Sequence, residues 1–244
     1  MEINVREASR RLGVNDSRAR QLLRAGDLRG RRVGNSWLVL AEDVARLERG
    51  RRRPGRPLAP KRAWAVLDLL DGCQASWLSA SARSQVRRYL ADFDDPGADD
   101  WRAALRARSR VVAVVAHPAA VDRLRHADGV YAAGSDAAAR RGFDLVAVAE
   151  PHPEFYISEG SWPQIARSLA LREGAEPNLK IRIPREVWPF ADDEPSPSGS
   201  REDLVGDAVL AADLLESAEP RAISAGAARL GELLANWKQA RAMR

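Results

Sequence analysis

A basic segment rich in proline and glycine divides this chain of 244 residues into two parts of unequal size. The segment, residues 50–61, reads GRRRPGRPLAPK and contains three prolines and two glycines. Proline fixes φ and removes a backbone N–H donor, so such a segment cannot form a regular helix or a central β-strand. The sequence therefore predicts a linker at 50–62 between a small domain, 1–49, and a larger one, 63–244.

The charge of the chain is divided at the same place. Residues 1–62 carry 17 lysines and arginines against 7 acidic residues, a net charge of +10, whereas the remaining 182 residues have a net charge of −5. A basic surface gains affinity for a polyanion because it releases counterions from the phosphates. We therefore expect a nucleic-acid partner for the first quarter of the chain only, and another kind of partner for the rest.

The first 26 residues have the pattern of two short helices joined by a tight turn. Apolar residues recur at helical spacing from Val5 to Leu12, and a glycine interrupts the run. Asn15 suits the N-cap of a second helix, Ser17 to Ala25, which Gly26 would end. Two helices with a glycine-containing turn over about 20 residues predict a helix-turn-helix.

A β-hairpin is predicted directly after the second helix. Its strands are Leu28 to Val33 and Ser36 to Leu40, around the turn dipeptide Gly34-Asn35, and arginines near the tip would meet phosphate or a minor groove. Polar side chains of the second helix would meet base edges or phosphates in the major groove. The alternative is a merely solvated helix face. The predicted DNA-contacting residues, with the linker arginines included, are Asn15, Ser17, Arg18, Arg20, Gln21, Arg24, Arg29, Arg31, Arg32, Asn35, Arg51, Arg52, Arg53 and Arg56.

A resemblance to a known family rests on residues 7–48, EASRRLGVNDSRARQLLRAGDLRGRRVGNSWLVLAEDVARLE. The order of turn, Gly26, hairpin and a following helix that opens at Ala41 resembles the excisionase and MerR-type winged helix-turn-helix family. That resemblance implies a module that binds double-stranded operator DNA and can self-associate on it. In the linker, Pro54 to Pro57 resembles the core of an AT-hook, which lies in a narrow A·T-rich minor groove. A basic linker without groove binding is the alternative.

The larger domain reads as a mixture of helices and short strands that ends in a helical hairpin. Its predicted helices are Ala63 to Leu70, Ser79 to Leu90, Asp100 to Ala107, Pro118 to Leu124, Glu202 to Leu215 and Arg221 to Leu234. Its predicted strands are a buried run at Val111 to Ala116, three short segments at Val130 to Ala132, Leu145 to Val148 and Phe155 to Ile157, and a half-buried strand at Leu179 to Ile183. A polar loop is predicted at Ala191 to Arg201. The expected fold class is α+β.

A second resemblance covers about 130 residues of this domain. Its most specific pieces are Gly134 to Leu145, Val187-Trp188-Pro189 and Ala211 to Gly226. They are similar to the C-terminal domain of AbiEi-family antitoxins, partners of nucleotidyltransferase toxins in type IV toxin-antitoxin systems. The N-terminal module here is not the wing type usual for that family. The resemblance implies a cognate toxin as partner and an antitoxin that autorepresses its operon.

Catalytic and metal-binding patterns are not found in the sequence. His117, His126 and His152 have no partner at ligand spacing and lie beside loop-forming residues, and Cys73 reads as a small core residue. Acidic pairs such as Asp94-Asp95, Asp99-Asp100 and Asp192-Asp193 lie in turns. We therefore expect no enzyme, no metal and no cofactor. No apolar run approaches the length of a membrane span and no secretory signal opens the chain, so we expect a cytoplasmic protein without a membrane partner.

Three functions remain open at this point. The first is an antitoxin-like transcriptional regulator, the second a regulator whose larger domain senses a small molecule, and the third an excisionase-type recombination factor. A toxin-like neighbouring gene would favour the first, and integrase-dependent excision the third.

Overall fold

The computed structural model describes residues 2–12, 14–34, 36–45, 57–145, 152–190 and 205–243. These residues form helices and two β-sheets, which confirms a mixed α and β architecture. The chain divides into two compact units, 1–55 and 56–244. Each unit has a hydrophobic core of its own.

The N-terminal unit combines two helices with a small antiparallel sheet. Its elements are β1 (Glu2–Asn4), α1 (Val5–Leu12), α2 (Asp16–Ala25), β2 (Gly30–Val33), β3 (Ser36–Leu40) and α3 (41–45). The strand order is β1-β3-β2, so β3 is central, and its residue Val39 is fully buried. Ala8 of α1 and Ala19 of α2 are also fully buried, and their small side chains allow the two helices to pack closely.

The C-terminal unit has a four-stranded sheet with helices on both faces. Its elements are α4 (Pro60–Leu70), α5 (Ala80–Ala91), α6 (Ala98–Leu105), β4 (Ser109–Val114), α7 (Pro118–Arg125), β5 (Val130–Ala133), α8 (Gly134–Arg140), β6 (Glu154–Ile157), α9 (Trp162–Ser168), β7 (Leu179–Pro184), α10 (Asp207–Leu214) and α11 (Pro220–Ala242). The strand order is β4-β7-β6-β5, with β6 and β7 parallel and the other two pairs antiparallel.

The two faces of this sheet belong to different hydrophobic clusters. Val112, Ile181 and Phe155 lie in one cluster with residues of α7 and α9. On the other face Tyr156 packs edge-on against Trp64 of α4, with 5.6 Å between ring centroids, in a larger helical cluster. Alternation of side chains across each strand produces this arrangement, because successive residues point to opposite faces.

Strand β4 corrects the prediction of a fully buried strand. The apolar run from Val111 to Ala116 begins in the edge strand β4, which ends at Val114. Buried and exposed residues alternate along the run, and Val111 and Val115 are 46% and 40% exposed. The half-buried assignment of Leu179 to Ile183 is also wrong, because β7 is central and nearly all its residues are buried. Hydropathy alone does not report a strand's place in its sheet.

Several element boundaries differ from the sequence-based prediction. Helix α4 begins at Pro60, inside the predicted linker, since a proline is well tolerated in the first helical turn. Helices α8 and α9 were not predicted, and Cys73 is exposed and not part of the core. Most residues of the predicted strand at Leu145 to Val148, the predicted loop at Ala191 to Arg201 and the start of the helix at Glu202 lie outside the described residues. No helix in the described part of the chain is long and apolar enough to cross a membrane.

The predicted helical hairpin is formed by α10 and α11, and a glycine sets their close approach. A Cβ on Gly226 would lie 2.5 Å from the carbonyl oxygen of Ala211 and 2.9 Å from Cβ of Leu214, whereas a Cβ on Gly231 of the same helix would meet nothing within 4 Å. We expect Gly226→Ala to lower the free energy of unfolding by about 1 to 3 kcal/mol, because the helices must separate.

The matched control is Gly231→Ala, which should raise the free energy of unfolding by up to about 1 kcal/mol through helix propensity. Urea denaturation of the full chain measures both changes. If the two variants change stability in the same direction, Gly226 does not set the spacing between α10 and α11.

Candidate nucleic-acid interface

Helix α2 has well-formed caps at both ends. The side chain of Asn15 accepts a hydrogen bond from the backbone N–H of Arg18 at 2.8 Å, which makes Asn15 the N-cap as predicted. At the other end Gly26 has a φ of +81° and its N–H bonds to carbonyls of the last turn. Such a left-handed C-cap favours glycine. The two caps fix where α2 begins and ends, and so which of its side chains point outward.

The outward side of α2 is polar and basic. Ala19 and Leu22 are buried against the core, and the residues between them are exposed. The Nη1 of Arg18 donates to Oε1 of Gln21 at 3.1 Å, which holds these two side chains side by side. The exposed polar residues are Asn15, Ser17, Arg18, Arg20, Gln21 and Arg24. An open depression at the start of the helix is lined by Val14, Asn15, Ser17, Arg18 and Gln21.

The predicted hairpin is formed by β2 and β3. Val33 pairs with Ser36 around Gly34, which has a φ of +60°. All four residues of β2 are exposed, and Nε of Arg32 donates to the carbonyl oxygen of Gly34 at the tip, at 3.2 Å. Asn35 lies outside the described residues. The hairpin therefore presents one fully exposed strand with two arginines.

Arg29 lies at the base of the hairpin and not near its tip. Its backbone N–H and its guanidinium both donate to the carboxylate of Asp43, at 2.8 to 3.0 Å, and Nη2 also contacts Glu42 at 2.7 Å. Asp43 is 1% exposed. The hydrogen bonds with Asp43 raise the pKa of the Arg29 guanidinium. Arg29 therefore compensates the charge of a buried carboxylate and fixes α3 against the hairpin. This residue, predicted to contact DNA, thus has a structural role in the unit.

Arg31 is also paired within the unit. Its guanidinium donates to both carboxylate oxygens of Glu2 on β1, the shortest contact being 2.9 Å. The hydrogen bond from Arg31 lowers the pKa of Glu2. The Arg31 side chain is still 66% exposed, so a phosphate can reach it beside Glu2. The remaining predicted contacts, Arg51, Arg52, Arg53 and Arg56, lie outside the described residues.

Two of the three histidines of the larger unit make local hydrogen-bond contacts. Nδ1 of His117 accepts from the N–H of Ala119 and caps α7, and Nδ1 of His126 lies 2.8 Å from the carbonyl oxygen of Asp122. His152 is exposed. Among the described residues, no group of three or more His, Cys, Asp or Glu side chains is placed to hold a metal ion.

A buried charge network in the C-terminal unit was not anticipated from the sequence. Asp213 of α10 is 2% exposed and accepts hydrogen bonds from Tyr156 Oη at 2.6 Å and Arg108 Nη2 at 2.8 Å, and Arg182 Nη1 lies 3.4 Å away. Burial raises the pKa of Asp213, whereas Arg182 and Arg108 act against that shift. The network thus joins the sheet to α10.

The rim of this network balances its charge. The carboxylate of Glu216 accepts hydrogen bonds from Arg108 and Arg182. Burial alone would raise the pKa of Glu216, but these two arginines outweigh that effect and lower it. Glu154 accepts from Arg182 at 2.7 Å and from Lys180 at 3.1 Å. Three cations therefore face three carboxylates. Paired in this way, the groups serve to hold β4, β6 and β7 against the end of α10.

Comparison with known proteins adds no relative. No family model, curated protein or solved structure matches the chain.

Sequence reasoning missed the partners of the predicted contact arginines. Glu2, Glu42 and Asp43 are separated from Arg29 and Arg31 by 13 to 29 residues, and only the fold brings them together. A signal existed for Asp43, since an acidic residue in an apolar helical face needs a buried partner.

Proposed function

We propose that this protein is a DNA-binding transcriptional regulator whose N-terminal unit is a winged helix-turn-helix that reads duplex DNA with α2. The observation that carries the proposal is the outward face of α2. In the described part of this unit, Arg18, Arg20 and Arg24 form no ion pair, whereas Arg10, Arg11, Arg29 and Arg31 are each paired with a carboxylate. The cations of α2 are thus available to an external anion.

The side chains on that face match what base edges require. Arginine can donate two hydrogen bonds to guanine O6 and N7, and glutamine can pair with adenine N6 and N7. Arg18 and Gln21 are already adjacent, and both lie in the first two turns of α2. Recognition helices make base contacts through their N-terminal residues. In this proposal β2 is the wing, and Arg31 and Arg32 contact phosphates beside the groove.

The test is selection of duplexes by the full chain from a pool with a randomised central region. The proposal expects a defined sequence motif to be enriched, and expects enrichment to fail with the variant Arg18→Ala/Gln21→Ala. Recovery of sequences without any common motif would contradict base reading by α2.

The linker arginines are proposed to add phosphate contacts. Replacing Arg51, Arg52, Arg53 and Arg56 by alanine should lower the slope of log affinity against log salt by up to about 3 to 4, because each lost phosphate contact removes about 0.9 of a released counterion. Titrations of the full chain at several salt concentrations measure the slope. The control variant, with the same loss of charge on exposed residues, replaces Arg123, Arg125, Arg167 and Arg172.

Equal slopes for the two quadruple variants would make the linker a solvated tether. The AT-hook hypothesis makes a narrower prediction, because narrow A·T-rich minor grooves attract arginine. Arg56→Ala alone should then weaken binding to A·T-rich flanks more than to G·C-rich flanks. Equal losses on both flanks would leave phosphate contact as the only role.

We further propose that the C-terminal unit binds a protein, as the resemblance to AbiEi-family antitoxins implies. The partner proposed is a nucleotidyltransferase toxin, and the regulator is proposed to repress its own operon. The edge of β4 supports a protein contact. It is an outer strand with the side chain of Val111 exposed, and the edge from Ser109 to Val114 can accept a further strand or an apolar surface.

Co-expression with the product of the adjacent gene tests this part. The proposal expects the two proteins to co-purify and the full chain to relieve any growth arrest that the neighbour causes. A toxic neighbour that neither co-purifies nor is countered would contradict the antitoxin role and leave the DNA-binding role in place.

A further inference from the structure

The outer surface of α5 is a basic face in a unit whose net charge is acidic. Helix α5 and its N-cap, residues 79–91, contain three arginines and no acidic residue. Residues 233–244, at the end of α11, contain no acidic residue either. The basic face is defined by Lys61, Arg62, Arg83, Arg87, Arg88 and Arg241.

Hydrogen bonds bring these residues from three helices onto one surface. Nη2 of Arg62, in the first turn of α4, donates to Oε1 of Gln85 on α5 at 2.7 Å. Nη1 of Arg241, near the end of α11, donates to the carbonyl oxygen of Arg87 at 3.2 Å. The outward side of α5 is thus flanked by the start of α4 and the end of α11.

The cations of this face have no carboxylate partner within the described residues. Arg62 donates to an amide side chain, Arg83 and Arg241 donate to backbone carbonyls, and the Arg241 guanidinium also lies 5.5 Å from the centre of the Trp237 ring. Other arginines of the same unit do find carboxylates, among them Arg102, Arg140 and Arg229. The nearby acidic residues Asp92, Asp94 and Asp95 follow the end of α5, and Asp94 is paired with Lys238.

Such a face costs stability in the isolated protein. Arg83 and Arg87 are four residues apart on one helix, and like charges at that spacing destabilise a helix. An external polyanion would remove this repulsion. Double-stranded nucleic acid fits, because its phosphates are regularly spaced and many cations can contact them together.

We infer that the basic face binds the phosphate backbone of the same DNA duplex that the N-terminal unit reads, and so provides a second contact outside the recognition site. The inference rests on the proposed function of α2. Proximity along the chain favours the same duplex as the ligand, since only residues 57–60 separate Lys61 and Arg62 from the last linker arginine, Arg56. A second contact on one duplex gains from the high effective concentration that a tether provides.

The test uses the full chain and two triple variants. Arg87→Gln/Arg88→Gln/Arg241→Gln removes three charges from the basic face, and Arg123→Gln/Arg125→Gln/Arg167→Gln removes three from exposed sites on α7 and α9. Each variant is titrated at several salt concentrations with a duplex of about one and a half helical turns and with one of about four turns around the same selected site.

On the long duplex, the basic-face variant should lower the slope of log affinity against log salt by about 2 to 3, and the control variant should leave it unchanged. On the short duplex, neither variant should change the slope of log affinity against log salt. Equal slopes for the two variants on the long duplex would overturn the inference. Equal weakening on a duplex RNA of the same length would overturn the assignment to DNA.

Two single variants complete the test of the basic face. Arg88→Gln, which removes one exposed side chain, should alone lower the slope by about 0.9 if the triple variant is unstable. Arg18→Ala separates this inference from the proposed role of α2. If Arg18→Ala loses sequence preference but the basic-face variant leaves the salt slope unchanged, only the inference about the basic face is contradicted. If Arg18→Ala retains sequence preference and the basic-face variant lowers the salt slope, only the role of α2 is contradicted.

Discussion

Asp213→Ala is expected to lower the free energy of unfolding of the C-terminal unit by about 3 to 5 kcal/mol, the range for breaking a buried ion pair from one side. The Asp213 carboxylate is buried and accepts from Arg108 and Tyr156, and Arg182 lies close by. Without it, two buried guanidinium groups share the remaining carboxylates, Glu216 and Glu154. The buried Tyr156 hydroxyl also loses its acceptor.

Urea denaturation followed by tryptophan fluorescence measures this loss, because six of the seven tryptophans lie in residues 56–244. Asp213→Asn keeps the side-chain volume and removes only the charge, so it should also be strongly destabilising. Asp136→Ala is the control, since Asp136 lies in an exposed pair, 3.7 Å from Arg140, and should change stability by less than about 0.5 kcal/mol. Similar losses for Asp213→Ala and Asp136→Ala would refute the role given to the network.

Arg18→Ala and Gln21→Ala are each expected to weaken binding to the selected duplex by about 1 to 3 kcal/mol and to relax sequence preference at the contacted base pair. The reason is that a bidentate contact to the correct base is lost, whereas a phosphate contact would be lost equally on every sequence. Fluorescence anisotropy with single-base variants of the site measures both effects.

Arg125→Ala is the control for this pair, because Arg125 is an exposed arginine of α7, far along the chain from α2. It should leave both affinity and preference unchanged. If Arg18→Ala and Gln21→Ala weaken all sequences by the same factor, the two residues contact phosphates only. An unchanged affinity in both variants would remove α2 from the interface.

Local features of the N-terminal unit could be predicted from the sequence because short-range chemistry determines them. Asn15 and Gly26 cap α2 through bonds to residues at most four positions away, and Gly34 adopts the positive φ that a tight hairpin turn requires. Apolar residues at helical spacing predicted the two short helices that the structure has as α1 and α2. The same reasoning placed the outward residues of α2 on the surface, where the structure has them.

Features that depend on distant contacts could not be predicted. The edge position of β4 follows from the order of four strands, and the pairing of Arg108 with Asp213 joins residues 105 positions apart. Net charge likewise does not report which charged residues the fold brings together. An average of −5 over residues 63–244 conceals a surface where cations from three helices meet without carboxylates, so the expectation of a polyanion partner for the first quarter only is replaced by the proposed second contact.

The proposed reading of DNA sequence by α2 is tested by comparing two duplexes. The full chain is titrated with its selected duplex and with a scrambled duplex of the same length and composition, at one salt concentration close to physiological. A sequence-reading α2 predicts a preference of about 10³-fold or more for the selected duplex, reduced by at least about tenfold in Arg18→Ala/Gln21→Ala and unchanged in Arg125→Ala. Equal affinity for the two duplexes, or a preference that the double variant retains in full, would contradict the claim.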